Sequence, residues 1–141
     1  MRNLIFGIFL GFGIWLLGFA QGCGNPIVQH FPNAPKITSV FPASGAAGVT
    51  IEVQVTATFD KNMDASSINT DSFTLTYNTG LNTVTGTVSY SSSGKTVTFT
   101  PSAQLSFSKL YTATVSNAVK DSDGNPLENS YGWSFTTAAA P

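Results

Sequence analysis

From about residue 36 onward, apolar and polar residues alternate in short runs separated by clusters of Gly, Pro, Ser and Asn. The clearest run sets Ile51, Val53, Val55, Ala57 and Phe59 on one side and Glu52, Gln54, Thr56 and Thr58 on the other. A period of two over this length predicts a half-buried strand. A shorter strand is expected before it, at residues 36–41, ended by Pro42 and a turn-rich stretch at 44–48. Phe73, Leu75 and Tyr77 mark a third strand, turned by Asn78, Thr79 and Gly80. Val84, Val88 and Tyr90 mark a fourth with Gly86 in phase, and a tight hairpin at 91–94 leads to Val97 and Phe99, stopped by Pro101. Tyr111, Ala113 and Val115 make the sixth, and Tyr131, Trp133 and Phe135 the seventh. Residues 60–71 form a longer connection whose Met63 and Ile68 are expected to fold back onto the core. No segment from here on carries a helical period. Seven short strands with turn signals between them predict an all-β, seven-stranded antiparallel sandwich.

The first residues follow a different rule. Arg2 is followed by an uncharged apolar run over residues 4–20, then Gln21, Gly22 and Cys23, the only cysteine in the chain. A short basic start, an apolar core and a small-residue exit are the parts of a secretory signal peptide. A thiol directly after such a segment can be acylated and become the new N-terminus. Residues 1–22 are therefore read as a lipoprotein signal and Cys23 as the lipidation site, although Ala20 stands where such signals usually carry Leu. Two alternatives stay open. The run is about as long as the shortest membrane-spanning helices, so an uncleaved anchor is one alternative, against which stands the lack of a basic flank after it. Plain secretion would leave an unpaired thiol in an oxidising compartment.

Removing 22 residues from 141 leaves 119, enough for one domain with a core of its own. This part has five Lys against seven Asp and Glu, a weak imbalance that argues against a nucleic-acid partner. With Cys23 at its terminus it has no internal disulfide, so packing alone must hold it together. Residues 23–35 read as a linker containing Pro26, Pro32 and Pro35, and its lone His30 lacks the companions a metal site needs. Extended, this linker reaches roughly 40 Å. Residues 139–141 are read as a tail.

Five stretches then carry a family resemblance. They are Val40-Phe41-Pro42 through Gly45 and Gly48; Phe59 with Met63, Asp64 and Ile68; residues 97–101 with Leu105; residues 111–115; and residues 121–127 leading to Trp133 and Thr137. In this order they resemble the bacterial Ig-like domain of the SbsA type, found in S-layer and other envelope proteins, over about residues 35–138. The resemblance implies an immunoglobulin-like sandwich at residues 36–138, with Tyr111 where a tyrosine corner stands. It implies a non-enzymatic envelope module and no particular ligand.

The residues themselves agree on chemistry. The domain has no His and no Cys, and the sequence holds no nucleophile-elbow or phosphate-loop pattern, so catalysis is not expected. One acidic constellation stands out. Asp121, Asp123 and Asn125 begin like a calcium loop but lack the acidic residue that closes an EF-hand. The plain alternative is a turn in which Asp and Asn bond their own backbone and Gly124 takes positive φ. In an up-and-down walk, the second-to-third and sixth-to-seventh connections share one end, which brings Asp60 and Asp64 toward Asp121 and Asp123 as a candidate calcium set. No other cofactor is expected.

The same walk places the start of the first strand at this acidic end, so a tethered domain turns it toward the membrane. Loops at 44–48, 78–82 and 102–108 then face outward, with Leu81 exposed and Leu105 and Phe107 plugging the sandwich. A sugar site would need aromatics exposed on one sheet face, whereas Tyr77, Tyr90 and Tyr131 fall in the apolar phase. The expectation is a structural or adhesive envelope lipoprotein. Its partners would be the membrane, through lipid on Cys23, and an envelope protein or surface polymer. A calcium- or glycan-binding module is the alternative. Gly24 stands where Asp would favour inner-membrane retention, which points to the outer membrane or cell surface.

Overall fold

The computed structural model describes residues 32–141, and the signal, Cys23 and most of the expected linker lie outside the described residues. Eight strands form two antiparallel sheets: β1 (Ile37–Phe41), β2 (Val55–Phe59), β3 (Phe73–Tyr77), β4 (Asn82–Thr83), β5 (Gly86–Ser91), β6 (Thr96–Pro101), β7 (Leu110–Val115) and β8 (Tyr131–Thr136). Sheet I has the order β1-β2-β6-β5 and sheet II the order β4-β3-β7-β8. The alternation of the sequence becomes the two faces of each sheet. Val55, Ala57, Phe59, Val97 and Phe99 point from sheet I into the core, against Phe73, Leu75, Tyr111, Ala113, Val115, Trp133 and Phe135 from sheet II.

Aromatic rings tie the two layers together. Phe73 meets Phe99 edge-on across the sandwich at 5.8 Å and lies 6.0 Å from Trp133, while Tyr111 stacks on Phe135 at 5.9 Å. Each such side chain taken out of water contributes about 1.5–3 kcal/mol. Trp133 is a core residue, as its phase predicts.

Tyr111 makes the expected corner. Its hydroxyl accepts the Ser106 N–H at 2.9 Å, which fixes the segment that crosses from β6 to β7.

The structure departs from the sequence reading in several places. The expected fourth strand is two. β4 pairs with β3 in sheet II, then the chain crosses at Val84 and Thr85, and β5 pairs with β6 in sheet I. Val84, Gly86 and Val88 keep one phase through the crossing, so hydropathy alone does not reveal it.

Residues 51–54 hold the in-and-out alternation but are not in the ladder; β2 begins at Val55, and the Ile51 carbonyl instead accepts Leu105 N–H. The stretch at 44–48 is not a free loop, because it runs beside β8. Gly45 N–H donates to Ser134 O, Thr136 N–H to Ala46 O, and Val49 N–H to Thr136 O, with a parallel bridge from Val49 to Thr137.

Ala34 and Pro35 are buried, so the ordered domain reaches further back than residue 36. Leu105 does plug the sandwich, but Phe107 is 43% exposed, because it sits on a turn whose neighbouring backbone is held by the Tyr111 hydroxyl and by Thr137. Leu81 is exposed, as expected.

Candidate functional site

The register fixes two ends. Ile37, Phe59, Thr96, Val115, Tyr131 and Phe73 lie at the proximal end, where the chain comes in from residue 32. The loops at 60–72 and 116–130 are therefore both proximal, as the strand walk predicts, and they are stitched together. Met63 and Asp121 form an antiparallel bridge, Asp64 N–H donates to Lys120 O at 2.9 Å, and Ser122 N–H donates to Asn62 O at 3.0 Å. The Ser67 hydroxyl donates to Asp64 O and accepts the Lys120 N–H. The Tyr90 hydroxyl accepts the Met63 N–H at 2.8 Å, a second tyrosine clamp that pins the same loop.

Convergence of the loops does not bring the carboxylates to a common centre. Asp121 is fully buried, and its oxygens are already engaged. One accepts from the Asp123 and Asn125 backbone N–H groups at 3.0 and 2.8 Å, and the Asn125 side-chain amide lies within 3.1 Å of both. The Lys61 ammonium stands 3.7 Å from its second oxygen. Burial by itself raises the Asp121 carboxyl, but these bonds and the lysine outweigh it and hold it below its ordinary value of 3.8.

Asp64 turns to its own loop, where it caps the short 3₁₀ turn at Ala65–Ser67 and binds the Ser66 hydroxyl and N–H. Those two bonds hold its carboxyl low. Asp60 accepts Lys36 N–H at 2.8 Å. Asp123 contributes its N–H to Asp121, and Asn125 is a donor to Asp121 rather than a free ligand. Gly124 has φ of 89°, completing the turn that is the plain reading of this sequence. Hard cations need several oxygens free to face one point. Among the described residues no three His, Cys, Asp or Glu side chains gather to hold a metal ion. As arranged, Asp121 and Asp64 spend their oxygens on hydrogen bonds within the two proximal loops.

Charge is distributed unevenly. Lys36, Lys61, Lys95 and Lys120 and every described Asp lie in the proximal loops or beside them, whereas Glu52 and Lys109 belong to the distal end. The outer faces carry hydroxyls in cross-strand rows. On sheet I, Thr58 faces Thr96 and Thr56 faces Thr98; on sheet II, Thr74 faces Thr114 and Thr76 faces Thr112. At the distal end a cleft of about 770 Å³ lies beside β1, lined by Phe41, Pro42, Val49 and Val53 among others.

The sequence model for the bacterial Ig-like domain matches residues 32–137, which is the described sandwich almost end to end. The chain belongs to the bacterial Ig-like domain family. The N-terminal part of the bacterial S-layer protein SbsC resembles this Ig-like chain at 28% identity and a TM-score of 0.57, covering 76% of this chain and 24% of that one. A longer SbsC structure, residues 31–844, matches at 26% identity and a TM-score of 0.56, covering 74% of this chain. This chain spans only 14% of that structure's length, corresponding to one module of a larger protein. CopC from Methylosinus trichosporium OB3b has a TM-score of 0.62 over 76% of this chain and 96% of its own, at 14% identity, and so shares the fold. No curated protein sequence matches.

Proposed function

We propose that this Ig-like chain is a non-catalytic module of the bacterial cell envelope, tethered by lipid on Cys23 and serving a structural or adhesive role. The observation that carries this reading is the division of the surface. Charges gather at the proximal end, next to the point where the tether joins, while both sheet faces present neutral threonine and serine rows. Such a body offers uncharged flanks to neighbouring proteins or polymers. The S-layer relatives supply the envelope setting, and the signal-like segment ending at Cys23 supplies the anchor. A stitched proximal end and a Tyr111-locked crossover give the rigidity that a spacer or adhesive module needs.

The test is the mass of the N-terminal peptide recovered from the membrane fraction of the native host. A diacylglyceryl adduct on Cys23 with residues 1–22 removed is expected. An intact Met1 would replace the lipid by a spanning anchor, and a free unlipidated terminus would make the protein a secreted module; either result overturns the lipid tether.

A further inference from the structure

Two sheets have four edges, and three of them are interrupted or shortened. The outer edge of β8 is occupied at Ser134 and Thr136 by the segment at 45–49, which takes up the backbone groups there. β4 is two residues long. β1 is bulged between Ile37 and Ser39, follows Lys36 and runs into Pro42. Short strands, bulges, lysine and proline are the usual devices that keep an edge from pairing.

β5 has none of them. Gly86–Ser91 is a six-residue strand in unbroken register with β6, without charge or proline. The Thr85 carbonyl accepts Ser102 N–H, which sets the alternation of the ladder. Gly86, Val88 and Tyr90 therefore turn their N–H and C=O groups away from β6. No described segment pairs with them. Val88 and Tyr90 are only partly buried against the core, so this flank of the sandwich is incompletely covered.

We propose that β5 is a homodimerisation edge, pairing antiparallel with β5 of a second copy about a two-fold axis through Val88. In that register Val88 faces its own counterpart, and Gly86 of each copy faces Tyr90 of the other. Each of these pairs exchanges both of its N–H···O=C bonds. On the outer face Thr87 meets Ser89, so no like charges are opposed. The strand is self-complementary, as an isologous contact requires. That is why the occupant is a second copy, and the result is one continuous sheet of eight strands built from the two four-stranded sheets I.

The test is sedimentation velocity of the full chain in detergent across a range of protein-to-detergent ratios. It compares the wild type with T87K/S89K and with S39K/F41K on the β1 edge. Thr87, Ser89, Ser39 and Phe41 are exposed, and melting curves establish that both variants remain folded. The wild type and S39K/F41K are expected to dimerise alike. T87K/S89K sets lysines directly opposite one another in both halves of the interface and is expected to weaken dimerisation about tenfold or more. A wild-type chain that stays monomeric, a dimer indifferent to T87K/S89K, or a dimer lost in S39K/F41K would each overturn the proposal.

Discussion

The Asn125 side-chain amide lies 3.1 Å and 3.0 Å from the two carboxylate oxygens of Asp121, so a buried anion in the loop before β8 is neutralised by hydrogen bonds supplied four residues further on. Two backbone N–H groups and Lys61 complete the set. This arrangement closes the 116–130 loop and, through the Met63 bridge, fixes the other proximal loop to it.

Replacing Asp121 by Ala leaves three partly buried donors without their acceptor. A loss of roughly 1–3 kcal/mol is expected, read as a lower midpoint in urea unfolding. A pH series adds a second readout. The folded carboxyl lies below 3.8, so its contribution is complete above the unfolded value and disappears as pH falls through the lower folded value. Wild-type stability should therefore decline more steeply below about pH 4 than that of the Ala variant. Parallel acid limbs would show that Asp121 contributes nothing through its charge.

The same bonding pattern predicts how the domain treats calcium. Asp121 has no oxygen left free, and Asp64 is held by Ser66. Melting temperatures measured in millimolar calcium and in chelator should coincide, since only a ligand that prefers the folded state raises the midpoint. An upward shift with calcium would mean that these side chains abandon their present partners.

Tyr111 and Tyr90 make parallel tests, because each hydroxyl accepts one backbone N–H that lies outside the ladders. Tyr→Phe at either position keeps the ring and removes the acceptor. A cost of about 0.5–1.5 kcal/mol is expected for each, with the pair additive because they clamp opposite ends of the sandwich. Equal unfolding midpoints for wild type and Tyr111→Phe would remove the corner from the account of stability.

The Tyr111 corner could be anticipated from the sequence, since it stands at the start of an alternating strand, whereas the Tyr90 clamp could not. Its partner Met63 is 27 residues away, across a connection with no periodicity to place it. The sandwich itself was legible because burial on one face imposes period two, and the meeting of the two acidic loops followed from strand order. What the sequence concealed was pairing through backbone alone. Residues 45–49 seal β8 with Gly, Ala and Val, whose side chains announce no edge. Ile51 and Val53 alternate like a strand while standing outside the ladder. At the candidate site, ligand types were visible but their existing engagements were not, since Asn125 looks the same in a sequence whether it faces a cation or Asp121.

Gly86 connects the hidden crossing to an observable. It opens β5 just after the chain has left sheet II, and its α-carbon lies so close to β6 that an added Cβ would stand 2.6 Å from the Phe99 ring and 2.6 Å from the Thr100 carbonyl. Gly86→Ala is therefore expected to destabilise by about 1–3 kcal/mol, the usual cost of overpacking a formed core. The two contacts can be separated. Shortening the ring with Phe99→Leu relieves only one of them, and the Thr100 carbonyl belongs to the β6 backbone, which cannot turn aside. The double variant should then remain less stable than Phe99→Leu alone, by a margin visible in the urea midpoint. If Phe99→Leu instead absorbs the whole penalty, the aromatic ring rather than the backbone sets the requirement for glycine at the crossing.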